Sequence, residues 1–239
     1  MNPPFWGTKT IDSVSLDDVM QFVDRETLFA ARWQFRQGAG AGDWEKLKRE
    51  RAEPALERIL SICRASGAIE PKILYGYFRC KRDGNALFVD GENRSFRIDF
   101  PRERAAPNRC VADFFPEGFA AVQAVTVGDG PAREGARLFS ANAYSDAFFL
   151  KGLAAEAAEA TAEFAFRRIL EELGAPGGSG MRFSPGYPSF PDLFAQKKIA
   201  ALLGITRIGV SVTRTSGLVP EHSTTAIVSV DPGASRFRP

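Results

Sequence analysis

Residues 73–89 read Ile73-Leu74-Tyr75-Gly76-Tyr77-Phe78-Arg79-Cys80-Lys81-Arg82-Asp83-Gly84-Asn85-Ala86-Leu87-Phe88-Val89. Two runs rich in aromatic and aliphatic residues flank a polar cluster ending in Asp-Gly-Asn, which is turn chemistry for a β-hairpin. A second cluster, Asp90-Gly91-Glu92-Asn93, joins Ala86–Val89 to a third short run, Ser95–Ile98. Strands joined by such tight turns run antiparallel.

Helices are expected on the N-terminal side of this meander. Ser15-Leu16-Asp17-Asp18 offers an N-cap and an acidic first turn, starting a helix that ends near Val23-Asp24. A second helical run covers Thr27 to Gln37. Gly38 to Gly42 is a flexible break, and Asp43 caps the next helix. Trp44, Leu47, Leu56, Ile59, Leu60 and Cys63 then recur at helical spacing up to Ser66. Pro54 either kinks this pattern or opens a second helix.

Beyond the meander, Phe119–Val127 reads as a longer strand closed by Gly128-Asp129-Gly130-Pro131. Asp146–Leu173 is alanine-rich and helical, and stops at Gly174-Ala175-Pro176-Gly177-Gly178. Asp192 caps a short helix through Leu203, and Ile205–Thr213 and Thr224–Val230 are further β runs. Strands group with strands and helices with helices, without a repeated βαβ period. The class is α+β with a mainly antiparallel sheet.

The chain has 239 residues, 44% hydrophobic and 25% charged, enough for a substantial core. Its 31 basic and 29 acidic residues leave a formal charge of +2, so no nucleic-acid partner is expected. Cys63, Cys80 and Cys110 are odd in number and widely spaced, which fits a reducing cytosol. The N-terminus lacks the apolar core of a signal peptide, and no run is long enough to cross a bilayer. A cytoplasmic protein without a membrane partner is expected.

Catalytic signatures are scarce. His222 is the one histidine and reads as a solvated loop residue. There is no His/Cys ligand cluster, Walker loop or Gly-x-Gly-x-x-Gly, so neither a metal site nor a catalytic residue is expected. A triad would lack an ordinary base. Binding, or chemistry carried by the ligands themselves, is favoured.

One loop stands out: Met181-Arg182-Phe183-Ser184-Pro185-Gly186-Tyr187-Pro188-Ser189-Phe190-Pro191-Asp192. Pro185-Gly186 suits the centre of a type II turn, and Pro188 pushes Tyr187 toward extended backbone. The loop reads as a stiff presenter of Tyr187, with the guanidinium fork of Arg182 upstream to suit a carboxylate. In the alanine-rich helix, Glu156, Glu159 and Glu163 share one side, and Glu163 can pair with Arg167 at i,i+4. Small neighbours around Glu159 let a ligand approach. Asp24, read at a helix end, sits where the dipole disfavours an acid, a mild conflict of the kind found at sites.

Taken together these residues resemble the activation (reactivation) domain of cobalamin-dependent methionine synthase along nearly the whole chain. The resemblance rests on Arg182-Phe183-Ser184-Pro185-Gly186-Tyr187-Pro188, Phe22-Val23-Asp24 with Phe29 and Trp33, and Tyr75-Gly76-Tyr77-Phe78. It also rests on Cys110-Val111-Ala112-Asp113-Phe114-Phe115, Val125-Thr126-Val127-Gly128 and Ala158-Glu159-Ala160-Thr161-Ala162-Glu163-Phe164. It implies one domain over 1–239, with the helical segment 14–66 included and a central, twisted, mainly antiparallel sheet flanked by helices.

The resemblance further implies an S-adenosylmethionine site. Arg182 would hold the ligand's carboxylate, Asp24 and Glu159 its ammonium or other polar groups, and backbone near Ser189 its adenine. Tyr187 would face the corrin of a cobalamin supplied by a partner, the cobalamin-binding module of methionine synthase. A flavodoxin-like donor would supply one electron to oxidised Co(II), and the Co(I) formed would take the methyl group. The chain departs from the pattern in having no Asp-x-His-x-x-Gly cobalamin segment and Ser189-Phe190 in place of the usual Ala-Cys. Its end at Arg236-Phe237-Arg238-Pro239 is expected to weaken a ligand contact near Phe237. The expectation is a component of reductive reactivation acting in trans, not an independent enzyme. The alternatives are a docking or stabilising module for a corrinoid protein, or a reactivator of another corrinoid methyltransferase.

Overall fold

The structure, a computed structural model, describes residues 2–11, 14–35, 41–104, 106–115, 118–175 and 180–237, without the side chains of 41, 42 and 236. Its strands are β1 (Gly7–Ile11), β2 (Lys72–Asp83), β3 (Ala86–Asp90), β4 (Ser95–Asp99), β5 (Gly118–Thr126), β6 (Met181–Phe183), β7 (Ser211–Val212), β8 (Leu218–Val219) and β9 (Ser223–Ser229). The helices are α1 (Leu16–Met20), α2 (Ala41–Leu47), α3 (Glu53–Ser66), α4 (Gly130–Ser140), α5 (Tyr144–Glu172) and α6 (Ala195–Leu203).

The β2 strand organises the rest. Its alternation sends Ile73, Tyr75 and Tyr77 to one face and Leu74, Phe78 and Cys80 to the other, and all six are buried. A strand apolar on both faces must be covered on both. Accordingly α3 and α5 pack on the first face, and α6 on the second. Pairing of Asp83 with Ala86 leaves Gly84-Asn85 as the two-residue hairpin turn. The main sheet runs β4-β3-β2-β5-β9-β6, with β1 on the first half of β2. Every pairing among the described residues is antiparallel.

Tyr75 and Tyr77 donate their hydroxyls to Glu172 at 2.8 and 3.1 Å, and Arg168 donates to the same carboxylate at 3.2 Å. An acid in the last turn of a helix opposes the dipole, and these three donors offset that cost. Nearer the middle of α5, buried Gln123 of β5 donates Nε2 to the Ala162 carbonyl at 2.9 Å, tying helix to sheet.

Several expectations change in detail. Ser15 caps α1 through a capping box with Asp18, but the helix stops at Met20. The next run is π-helical over Thr27–Arg32; Gln37 and residues 38–40 of the break read over 38–42 lie outside the described residues, and its last two residues, Ala41 and Gly42, begin α2 instead. Asp43 falls in the first turn of α2 rather than capping it. Helical backbone runs unbroken from α2 through a π-helical stretch, Lys48–Ala52, into α3, so Pro54, in the first turn of α3, perturbs one continuous run rather than opening a separate helix. The α4 helix is an addition to the expected elements; Gly130-Pro131, read as strand closure, is its first turn. Residues 176–178, read as a helix stop, lie outside the described residues, and α5 ends at Glu172. The β run at Ile205–Thr213 is mostly a 3-10 turn over Ile205–Ile208, with only Ser211–Val212 in a strand. Gly204 and Gly209, both left-handed, bracket that turn and prevent an extended run.

The β1–β2 crossing leaves no room at Gly76, where a Cβ would lie 2.2 Å from the Gly7 carbonyl oxygen. Gly76→Ala is therefore expected to push β1 off the sheet and cost about 1–3 kcal/mol by urea unfolding.

Candidate functional site

At the β6 edge the sheet alternation separates two neighbours. Phe183 pairs with Ile227 and enters the α6-side core, so Arg182, pairing with Val228, faces α5. There its guanidinium meets two carboxylates one turn apart. Arg182 Nη1 lies 3.8 Å from Glu159 Oε2, and Nη2 lies 3.7 Å from Glu163 Oε2. Those separations exceed hydrogen-bond length, so the attraction is Coulombic and the fork keeps its N–H donors for a third group. The Arg182 side chain is 21% exposed and that of Glu159 43%.

Glu163 is the more committed acid. Arg167 Nε donates to its Oε1 at 2.9 Å. The Arg167 guanidinium in turn sits 5.3 Å over Phe22, whose ring packs edge-on against Phe164 at 6.0 Å. The N-terminal segment thereby braces the helix face that carries the acids.

These groups line an open cleft of about 410 Å³, with Phe166, Ser184, Tyr187, Ser189 and Ser235 completing it. Among the described residues, two carboxylates and one guanidinium make up its charged lining. Such a lining suits a cationic molecule that also carries a carboxylate.

The loop over the cleft is stiff for an identifiable reason. Gly186 takes φ 92°, the second corner of the Pro185-Gly186 turn. Its N–H donates to the Phe190 carbonyl at 2.8 Å, and the Phe190 N–H donates to the Tyr187 carbonyl at 2.8 Å. Phe190 is fully buried with its ring 4.7 Å from that of Phe100. Anchored there, the loop holds Tyr187 57% exposed at the mouth.

Arg182, Glu159, Tyr187 and Ser189 are thus brought together; Asp24 does not line the cleft. Asp24 accepts the Thr27 N–H at 3.1 Å and the Thr27 hydroxyl at 2.7 Å. It caps the helical turn that comes after it, so the dipole favours the acid and the supposed local conflict is absent. The two Thr27 bonds hold its carboxyl below the usual range. The three glutamates also divide: Glu156 is buried and accepts from Arg32 Nε at 2.7 Å, away from Arg182. Glu163, Ser184 and Ser235 join the lining without having been expected there. Only Glu163 carried a signal, its four-residue spacing from Glu159. Phe237 is buried against Phe114 at 5.1 Å, and residues 238 and 239 lie outside the described ones.

Other reactive groups lie elsewhere. The three cysteines are buried and free, and burial pushes the Cys63 and Cys80 thiols up to about 12. His222 is half-buried rather than solvated; burial, opposed by Glu221 and aided by Lys151 and Arg32, lowers its pKa.

Fold and cleft define an antiparallel α+β domain with a charged, open cleft at one sheet edge. The chain belongs to the family of vitamin B12 dependent methionine synthase activation domains, whose sequence model matches residues 15–238. It is 32% identical over 272 residues to a methionine synthase of Mycobacterium tuberculosis (strain ATCC 25618 / H37Rv), and 31% identical over 273 residues to one of Mycobacterium leprae (strain TN). Each alignment covers 98% of this chain, which spans 23% of the relative's length. Among solved structures, a crystal structure of the MetH reactivation domain bound to AdoHcy superposes with a TM-score of 0.80 at 19% identity, covering 96% of this chain and 80% of that one. At that identity the likeness speaks for the fold.

Phe190→Ala should cost about 3–5 kcal/mol in urea unfolding, as for a buried phenylalanine, whereas Tyr187→Ala should be near neutral. Because the folded His222 pKa is lowered, the unfolded chain binds the extra proton below pH about 6.5, and stability falls as pH drops through that value. Unfolding of His222→Gln at pH about 7.5 and 5.5 should show a smaller loss than the parent.

Proposed function

We propose that this chain binds S-adenosylmethionine between α5 and β6 and presents its methyl group to the cobalamin of a methionine synthase module, so reactivating that enzyme. The observation that carries the reading is the Arg182 fork, poised 3.7–3.8 Å from two carboxylates with its donors uncommitted. A zwitterionic amino acid bearing a sulfonium needs one cationic fork and an excess of acid nearby, which is what lines the cleft. AdoHcy, bound in the similar crystal structure, has the same zwitterionic amino-acid end with a neutral thioether in place of the sulfonium, and so supports the amino-acid part of the reading.

In this reading Arg182 takes the ligand carboxylate through paired N–H donors. Glu159, with no closer partner than Arg182 among the described residues, takes the ammonium. Glu163, already bonded to Arg167, adds negative potential near the sulfonium. Ser189 lies where backbone could meet the adenine, and exposed Tyr187 faces the corrin. Asp24 would contribute only if it binds ligand beyond its cap to Thr27. The partner's cobalamin supplies the cobalt nucleophile that accepts the methyl group. The chain's own part is binding, orientation and docking, so no proton-transfer residue is required.

Action in trans and a flavodoxin-like electron donor belong to the same proposal. So do a cytoplasmic setting and a single unit over 1–239. The packing of Trp33 against Phe149 of α5, with rings 4.7 Å apart, supports including the helical segment 14–66. Among the described residues no helix is long and apolar enough to cross a membrane.

Calorimetric titration with S-adenosylmethionine tests the site. Arg182→Ala should weaken binding by about 1.5–3 kcal/mol, Glu159→Gln by about 1–2 kcal/mol and Glu163→Gln by less. Equal effects of all three would refute the assignment. S-adenosylmethionine carries one more positive charge than S-adenosylhomocysteine, so it should bind more tightly, by a margin that shrinks as salt is added. Adding the chain to an inactivated cobalamin module with S-adenosylmethionine and a reductant should restore methyl transfer in trans. Absence of S-adenosylmethionine binding would favour the docking module, and tight binding without restoration would favour a different corrinoid methyltransferase as partner.

A further inference from the structure

A second and larger cleft, about 760 Å³, lies between the β1–β2 pair, the β3–β4 turn and the C-terminal end of α6. It shares no lining residue with the Arg182 cleft. Three guanidiniums reach it from three parts of the chain. Arg79 of β2 stacks over Trp6 with its Cζ 4.8 Å from the ring centroid, and Arg94 of the β3–β4 turn stacks over Phe96 at 4.6 Å. Arg207 donates to Thr8 Oγ1 and, at 2.6 Å, to the Leu203 carbonyl, which quiets the exposed carbonyls at the end of α6.

Stacking leaves in-plane N–H donors free while fixing where the cation sits. Among the described residues neither Arg79 nor Arg94 has an ion-pair partner, unlike Arg58, Arg97 or Arg137. Of the two acids in the cleft, Asp90 accepts the Ser95 hydroxyl and Glu92 is exposed. Basic residues also continue outward: a shallower recess of about 350 Å³ shares Arg94 and Phe96 and adds Lys197 and Lys198, beside an Arg97 that is paired with Asp99. Both lysines are oriented by backbone carbonyls, those of Arg214 and Arg97, at 2.8 Å each.

We infer that this cleft binds a small polyanion, a molecule bearing several phosphate or carboxylate groups, at a site separate from the S-adenosylmethionine cleft. Arg79 and Arg94 make the direct charge-assisted contacts, and Arg207 holds the wall and adds field. Phosphate and carboxylate both present a pair of anionic oxygens that a guanidinium can bridge.

Trp6 makes the test local. It is 49% exposed, whereas Trp33 and Trp44 are buried, so an anion beside Arg79 should alter mainly the Trp6 emission. The chain is titrated at constant ionic strength with tripolyphosphate in one arm and citrate in the other. Saturable change with either supports the site, and the tighter arm tells phosphate from carboxylate. The double variant Arg79→Gln, Arg94→Gln should weaken that binding about tenfold or more, while Arg182→Ala should leave it unchanged. Thermal melts check that both variants fold. The inference is overturned if neither probe saturates in the millimolar range, if the double variant binds as the parent does, or if Arg182→Ala removes the response.

Discussion

The candidate site depends on how closely α5 lies against the sheet. Ala154, Ala157, Ala158, Ala162 and Ala165 are buried, so the middle of the helix packs toward the sheet through small side chains, with Leu150, Leu153, Phe166, Ile169 and Leu170 filling the core on either side. The Gln123 bond to the Ala162 carbonyl sets its position along the sheet, one residue before Glu163. Because β6 is the edge strand beside β9, that placement brings Glu159 and Glu163 over Arg182 at ion-pair rather than hydrogen-bond distance. A larger residue at the packed alanines would lift the helix and widen the cleft before it altered any charged group.

Electrostatics and loop geometry then divide the work. The acids outnumber the fork, and Arg167 binds one of them, leaving Glu159 the freer carboxylate. The loop adds shape rather than charge. Phe190 occupies the core, Gly186 turns the chain, and Tyr187 is held outside. Phe190 fastens the loop to the α6-side core while the tyrosine stays presented.

Much of this is legible in the sequence where local chemistry decides structure. The Gly84-Asn85 turn, the capping box at Ser15 and the Pro185-Gly186 turn are set by neighbours in sequence. The features that escape such reading depend on tertiary partners. Asp24 looks misplaced only if its helix is drawn past Met20, when in fact it begins the next turn. Glu156 resembles its two neighbours on the helix, yet Arg32 claims it from 124 residues away. Ile205–Thr213 has strand composition, but its two left-handed glycines wind it into a 3-10 turn. Ser235 reaches the cleft from the other end of the chain, and no spacing rule would find it.

A crystal structure of the chain grown with S-adenosylmethionine decides whether Arg182 and Glu159 hold the methyl donor. The ligand carboxylate is expected on the Arg182 guanidinium, the ammonium beside Glu159, and the methyl group directed to the open mouth next to Tyr187. Ligand bound elsewhere, for instance between Trp6 and Arg207, with the Arg182 cleft empty, would contradict that placement.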